Sequence, residues 1–560
     1  LKQSVKQGKY LHPCGVLCYI IAIFVVFVLL TYIYILGILV VVDVVFVLLL
    51  DLKGFAAMNK SKKPNILLIT ADQMRWDCMG CAGNDVIKTP NLDAIAERGA
   101  YFGNAFTPDP ICVPARASIM TGNYPQTCTG QKTNGGRIKE SQPLLTEVLK
   151  GVGYRTYALG KLHFVPYAPP GEPRLVHGFE HVDLHESGRI LALYAKDKKV
   201  RGIEDYFDYL ETVGWDGYSR AHGIGNNDVR PCASPLPEEH HVDYWIADRT
   251  IEQIDRHSNE FSDKPFFMWM SSPKPHSPYD PPRPYDRMYD PRELPAPFGA
   301  MELLKDRYPA IESTLWRHAA DSVSPEAWQV IRSYYYGCVS FLDAMIGRVV
   351  DHLESKGLLE NTIILFSSDH GDLLGDFGSC FKVNHLNGSV RVPFLAAGPG
   401  IASGIRSEEL VGLQDILPTF AAMAGADIGQ DVDGIDLSSH LSGSEKPLCR
   451  DFYYSTTETD KEYGGQSAMM ADKRYKYIYS AANATEELYD QLEDPGELNN
   501  LAGDASRKGL LADMRNKLID CAREFSDSSI LSSDSLFEYD LDRSKFQELP
   551  VRRNMGWRWY

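Results

Sequence analysis

The chain has 560 residues, 44% hydrophobic and 23% charged, with a formal net charge of −17. Those proportions fit a globular protein with a sizeable core, and the acidic balance excludes a nucleic-acid partner held by a general basic field. An anionic substrate would have to be met by a few local cations instead.

Residues 15–42 form a run of 28 residues without a charge, and the apolar stretch resumes after Asp43 up to Leu50. That exceeds the roughly 20 residues needed to span a bilayer. Lys2, Lys6 and Lys9 precede the run and Lys53, Lys60, Lys62 and Lys63 follow it, so the flanking charges do not set an orientation. It is long for a cleavable signal and shows no small-x-small cleavage site. The first methionine is Met58. Two readings stand: a membrane anchor at 15–50, which implies a membrane-bound, periplasmic or extracellular protein, or upstream sequence before a true start at Met58, which implies a cytoplasmic one.

Ile66 to Ile69 is an apolar run ending in Thr70-Ala71-Asp72-Gln73, as a buried parallel strand would. Eleven cysteines show no framework spacing, and the single Cys78-x-x-Cys81 pair reads as packing rather than a zinc site. Thr89-Pro90 opens a helix that Gly99 closes. Cys112 follows a Pro-rich approach and precedes residues suited to a helix ending at Gly122, with Pro114 in the first turn. A helix N-terminus favours an anion at Cys112, and Arg116 lies one turn on, within reach of it.

Further on, helices at 144–150, 244–257 and 333–354 alternate with strands at 154–159, 265–270, 362–367 and 395–400, and 414–424 is a helix despite Pro418. This alternation predicts an α/β fold with a mostly parallel sheet covered by helices. After about residue 445 short aromatic strands (452–455, 475–479) and a helix at 508–524 predict a smaller α+β subdomain. The division expected is 1–57 hydrophobic segment, 64–445 catalytic domain, 446–525 C-terminal subdomain and 526–560 tail.

Open α/β sheets bind ligands beyond the carboxyl ends of their strands. Four strands end in suitable residues: Asp72-Gln73; Asp369-His370-Gly371-Asp372; Gly160-Lys161-Leu162-His163; and Lys274-Pro275-His276. Two carboxylates, a carboxamide and an imidazole suit one divalent cation, calcium or magnesium by their oxygens, with manganese admitted by the imidazole. Lys161 and His163, two apart, point the same way if the chain stays extended. Prolines on both sides of His276 stiffen its segment.

Cys112-Val113-Pro114-Ala115-Arg116, followed by Ala117-Ser118-x-x-Thr121-Gly122, resembles the signature of the type I sulfatases, in the alkaline-phosphatase-like superfamily. Most members carry Ser where this chain has Ala115. The resemblance runs from about residue 65 to 501 and implies an alkaline-phosphatase-like core with a smaller C-terminal domain. It implies that a formylglycine-generating enzyme oxidises Cys112 to formylglycine, whose hydrate attacks sulfur. Asp72, Gln73, Asp369 and His370, with residue 112, fall on the metal positions, calcium being the first expectation. Lys161 and Lys382 fall on sulfate contacts, His163 assists the hydrate, Arg116 orients residue 112, and His276 is the general-acid candidate.

Asp72-Gln73, where many sulfatases have Asp-Asp, resembles the branch containing phosphonate monoester hydrolases and some choline sulfatases. Gly388-x-x-Arg391-Val392-Pro393 resembles a further family element, with Leu386-Asn387 where Tyr-Glu is usual and Arg391 structural. Lys274 is a candidate for reading the substrate. The expected substrate is a sulfated glycan or small sulfated molecule. Alternatives are a phosphonate or phosphate ester hydrolase on the same scaffold, or a non-catalytic binder with unmodified Cys112. The loops at 166–237 and 279–320 carry no legible motif for the leaving group.

Overall fold

The apolar run that opens the catalytic part forms β1 (Asn65–Asp72), every residue of it buried. In chain order there follow β2 (Ala100–Phe102), β3 (Ala105–Phe106), β4 (Arg155–Gly160), β5 (His181–Leu184), β6 (Phe266–Pro275), β7 (Thr362–Ser368), β8 (Phe394–Ala397), β9 (Ile405–Ser407) and β10 (Val411–Gly412). Among the described residues, the main sheet has eight strands in the order β5-β4-β6-β1-β7-β8-β2-β9, and β3 pairs separately with β10. From β5 to β7 all strands are parallel; β8 runs antiparallel to both β7 and β2. The structure is a computed structural model that describes residues 24–28, 63–130, 132–164, 172–187, 201–299, 303, 309, 311–312, 320 and 323–548.

The helices that cover the sheet are α1 (Pro90–Arg98), α2 (Cys112–Thr121), α3 (Leu145–Gly151), α4 (Val242–Glu260), α5 (Pro325–Ser355) and α6 (Ile416–Ala424). Successive strand residues face opposite sides, and the core follows that period of two. Leu67, Ile69, Met268, Met270, Ile364 and Phe366 join one cluster with α4 and α5. Ile66, Leu68, Phe267, Trp269, Ile363 and Leu365 join the other with α2, α3 and α6. Each fully buried Leu, Ile or Phe contributes about 1.5–3 kcal/mol, so the central strands are the best-anchored part of the chain.

Two boundaries differ most from expectation. The strand expected to end at Met270 continues to Pro275, because β6 slips in register against β1: Thr70 pairs with Ser271, but Asp72 pairs with Pro275. Lys274 therefore lies on the strand, and His276 is the first residue off it. α5 begins at Pro325, well before 333; the Ser324 hydroxyl accepts from Ala327 N at 3.2 Å, a cap with Pro at the first helical position.

The C-terminal part is an antiparallel meander of β11 (Tyr453–Glu458), β12 (Gln466–Ala471), β13 (Tyr475–Ser480) and β14 (Thr485–Asp490). Helix α7 (Lys508–Glu524) packs Met514 and Leu518 on one face, with Tyr454, Met470 and Tyr477. The other face sets Met469, Ile478 and Tyr489 against Leu373, Leu386 and Val390, which belong to the segment after β7. The stretch from 526, left unassigned in sequence, contains a short hairpin and the buried Asp527, which accepts two bonds from Lys132 Nζ at 2.6 and 2.7 Å.

Of residues 1–63, only 24–28 and Lys63 are among the described residues, and they fall outside the unit at residues 64–560. Of the hydrophobic stretch only 24–28 is described, as a short exposed helix; the anchor expected at 15–50 otherwise lies outside the described residues. Among the described residues no helix is long and apolar enough to cross a membrane. Cys78 sits in the main core and Cys81 packs beside it, both as free cysteines.

Candidate functional site

Cys112 is the first residue of α2, preceded by the extended Ile111, and the helix closes at Gly122 in the left-handed region (φ 71°). Its side chain is fully buried, and Sγ lies 3.2 Å from His370 Nε2. Asp72 ends β1, and Asp369 and His370 follow β7. The ligand atoms of Asp72, Cys112, Asp369 and His370 all lie within 4.8 Å of one another, and all four residues are buried. Asp72 Oδ1 has no hydrogen-bond partner although it is buried. Two carboxylates, an imidazole and residue 112 converging on one point fit a divalent cation in kind and number.

Arg116 reaches past Cys112 to the carboxylates. Nε donates to Asp369 Oδ2 at 2.8 Å, Nη2 to Asp72 Oδ2 at 3.4 Å, and Nη1 to Ser271 Oγ at 2.8 Å and the Lys161 carbonyl at 2.9 Å. A planar, permanently charged fork is what can span two carboxylates in this way. The Lys161 ammonium also donates to Asp72 Oδ2, and the Lys382 ammonium to Gln73 Oε1. Burial works to raise the Asp72 carboxyl, but Lys161, His276, Arg116 and Lys382 outweigh it and hold the group well below the ordinary range. Burial and Asp72 likewise oppose the Cys112 thiolate; Lys382, Lys161 and His370 prevail and bring the thiol down to about 7.

Backbone in the left-handed region recurs around this centre, at Gln73 (φ 67°), His163 (φ 62°) and Phe381 (φ 66°). Such conformations cost about 1–3 kcal/mol each and persist only where their surroundings enforce them. Here each is held by a carboxyl oxygen. Gln73 N donates to Asp369 Oδ1 at 3.0 Å, His163 N to Glu186 Oε1 at 2.8 Å, and Phe381 N to Asp372 Oδ1 at 2.6 Å. Tyr335 OH adds a 2.6 Å bond to the Gln73 carbonyl. Glu186 and Tyr335 carry no sequence signal and were missed; Asp372 closes the legible Asp-His-Gly-Asp run.

The reading of Lys161 and His163 as alternating strand residues does not hold. β4 ends at Gly160 (φ 104°), where a Cβ would lie 2.1 Å from the Ser271 carbonyl, so only glycine permits the close approach. Lys161 turns inward and is buried, while His163 is only half-buried. His276 is placed by its backbone: N donates to the Asp72 carbonyl at 2.9 Å, and Nδ1 donates to the Ser277 carbonyl at 2.9 Å. With Nδ1 turned to that carbonyl, Nε2 is the nitrogen on the opposite edge of the ring.

His276 lines a small, partly open cavity together with His185, Tyr206, Arg220, Lys274 and Asp280. Lys274 borders this space, but its ammonium is committed to Asp280 Oδ1 and, at 2.7 Å, to the Pro278 carbonyl. It is buried, not a surface lysine, and is held by those two bonds. Arg391 stacks on Trp76, its guanidinium 3.7 Å from the ring centre, which bears out its structural reading.

The chain belongs to the sulfatase family and is a sulfuric ester hydrolase: the family model described as Sulfatase matches residues 64–426. A second model, for the C-terminal region of N-sulphoglucosamine sulphohydrolase, matches residues 375–524. The arylsulfatase of Clostridium perfringens is 32% identical over 488 residues, covering 82% of this chain and 94% of that protein. The choline-sulfatase of Rhizobium meliloti is 31% identical over 451 residues, covering 79% and 82%. Among solved structures, the phosphonate monoester hydrolase of Agrobacterium radiobacter superposes with a TM-score of 0.69 at 25% identity, covering 85% of this chain and 100% of that one.

Proposed function

We propose that this sulfatase hydrolyses the sulfate ester of a small organic alcohol, a phenol or a glycan, using formylglycine at position 112 and one divalent cation, calcium first, held by Asp72, Asp369 and His370 with residue 112, while Gln73, expected as a further ligand, gives its oxygen to Lys382. The observation that supports the reading is the buried convergence of Asp72, Cys112, Asp369 and His370, ringed by Arg116, Lys161 and Lys382. When bound, the cation would supply a Lewis acid for the ester oxygens, and the formylglycine hydrate would supply the attacking hydroxyl and a route for releasing sulfate.

The chain's own residues divide the remaining work. Lys161 and Lys382 place fixed positive charge where the non-bridging oxygens gather negative charge, and such preorganised charge is usually the largest catalytic contribution. Arg116 holds Asp72 and Asp369 apart from one another's repulsion and fixes their direction. His276 delivers a proton from Nε2 to the departing alcohol oxygen, and the cavity beside it receives that alcohol. A phosphonate monoester is the second substrate reading, favoured by Gln73 after Asp72 and by the superposition on a phosphonate monoester hydrolase.

Mass spectrometry of the tryptic peptide 99–116 tests the maturation, after expression with a formylglycine-generating enzyme. An aldehyde at position 112 is expected. An intact thiol, where a control sulfatase is converted, sinks the formylglycine reading and favours a binder. Comparing kcat/KM on an aryl sulfate and the matching aryl phosphonate then separates the two substrate classes.

A further inference from the structure

Gln73 carries a side chain that can be read in either of two orientations, and its two neighbours differ in kind. One is the Asp372 carboxylate, which can only accept hydrogen bonds; the other is the Lys382 ammonium, which can only donate them. Gln73 Nε2 donates to Asp372 Oδ2 at 2.5 Å, and Gln73 Oε1 accepts from Lys382 Nζ. All of these groups except Lys382, which is half-buried, are buried.

Asp372 itself is fully engaged. Oδ1 accepts from Leu374 N at 2.8 Å and Phe381 N at 2.6 Å; Oδ2 accepts from Gln73 Nε2 and, at 2.6 Å, from Tyr279 OH. The two backbone donors belong to the loop that carries Lys382. Tyr279 lies three residues past His276, on the segment leaving β6, and is fully buried.

We propose that Asp372, steered by Tyr279, is the positioning residue that sets which end of the Gln73 carboxamide faces the reaction centre. With four donors on its two oxygens, Asp372 draws the amide nitrogen away and the oxygen is turned to Lys382, fixing the ammonium where it meets an ester oxygen. The same acceptor-only contact explains a carboxamide at position 73, since Gln73→Glu would set a second carboxylate against that of Asp372. An asparagine at 372 would keep its oxygen on the two backbone N–H groups and turn its NH2 toward Gln73. The Gln73 amide would then flip and present its own NH2 to the Lys382 ammonium, which must withdraw. The assignment rests on reading Lys382 as an anion contact.

The test is a double-mutant cycle in the matured, metal-loaded enzyme. Asp372→Asn is expected to lower kcat/KM at least thirtyfold, mainly through KM if Lys382 holds the bound ester, and Tyr279→Phe three- to tenfold. In the Gln73→Ala background either change should cost less than threefold more, because the amide to be oriented is gone. Losses as large without Gln73 as with it would overturn the proposal, as would a folded Asp372→Asn enzyme of unaltered kcat/KM. Tyr279→Phe keeps every backbone bond and serves the same cycle should Asp372→Asn fail to fold. A crystal structure of either variant reads the position of Lys382 without any turnover. Withdrawal of the ammonium from residue 73 in Asp372→Asn, or its disorder in Tyr279→Phe, supports the assignment, and an unmoved ammonium in both refutes it. If the wild type hydrolyses neither ester, the substrate reading fails by itself and the crystallographic comparison still decides the role of Asp372.

Discussion

Lys132→Met breaks a buried ion pair that ties the segment after α2 to the C-terminal tail. Lys132 and Asp527 are 4% and 1% exposed, and the ammonium also donates to Thr456 Oγ1 at 2.9 Å and Ser529 Oγ at 2.5 Å. Removing one partner of a buried pair strands the other and typically costs about 3–5 kcal/mol. Asp527 would keep the Tyr454 hydroxyl at 2.8 Å and the Ser529 N–H at 3.1 Å, so the low end, about 3 kcal/mol, is expected. With an unfolding entropy near 2.1 cal/mol/K per residue, the unit at residues 64–560 carries about 1 kcal/mol/K, so Tm should fall by about 3 °C.

The double variant Lys132→Met/Asp527→Asn, which removes both charges and keeps the remaining hydrogen bonds, should be more stable than Lys132→Met alone. pH adds a signature. Burial raises the Asp527 carboxyl, but Lys132 and the Ser529 and Tyr454 hydroxyls outweigh it and set it below the ordinary value. A depressed carboxyl contributes its stability fully above its unfolded pKa and loses it as pH falls through the folded one. The gap between wild type and Lys132→Met, read by urea denaturation, should therefore narrow as pH falls, with Asp109 adding to it, since burial raises that carboxyl and Lys132 draws it back. A variant within about 0.5 kcal/mol of wild type at pH 7 would refute the account of the clamp.

Three further outcomes are expected. His276→Ala should lower kcat about 10²–10⁴-fold on alkyl esters and far less on esters of acidic phenols, which leave without a proton; equal losses on both would remove His276 as the acid. Chelation should abolish turnover and lower Tm, with calcium, magnesium or manganese restoring both; full activity in protein shown by elemental analysis to be metal-free would exclude the cation. Glu186 is buried and its carboxyl is pushed up to about 7, so the folded state holds a proton that the unfolded state loses from about pH 4.5. Its burial therefore erodes stability as pH rises, and Glu186→Gln, which keeps the two amide contacts, should gain on wild type by about 2–4 kcal/mol between pH 5 and 8. A constant difference across that range would contradict it.

The α/β class, the strand-end carboxylates and the Cys112 helix were legible in the chain itself, because each depends on local pattern. Apolar runs buried on both faces read as parallel strands, and a Pro in the first turn with Gly after the last marks a helix. Segment boundaries failed where a non-local contact decided them: β6 runs on to Pro275 because its register slips against β1, and Lys161 parts from His163 because Gly160 lets the chain approach Ser271. Residues whose work is to hold others carried no signal. Glu186 and Tyr335 act on backbone groups and Tyr279 on a carboxylate, tens to hundreds of residues away, and nothing near them in sequence says so. The tail was silent for the same reason, since Asp527 acquires meaning only when folding delivers Lys132 to it. Chemistry that a residue carries in its own side chain is written locally; the direction in which that side chain points is an electrostatic and steric outcome of the whole packed structure.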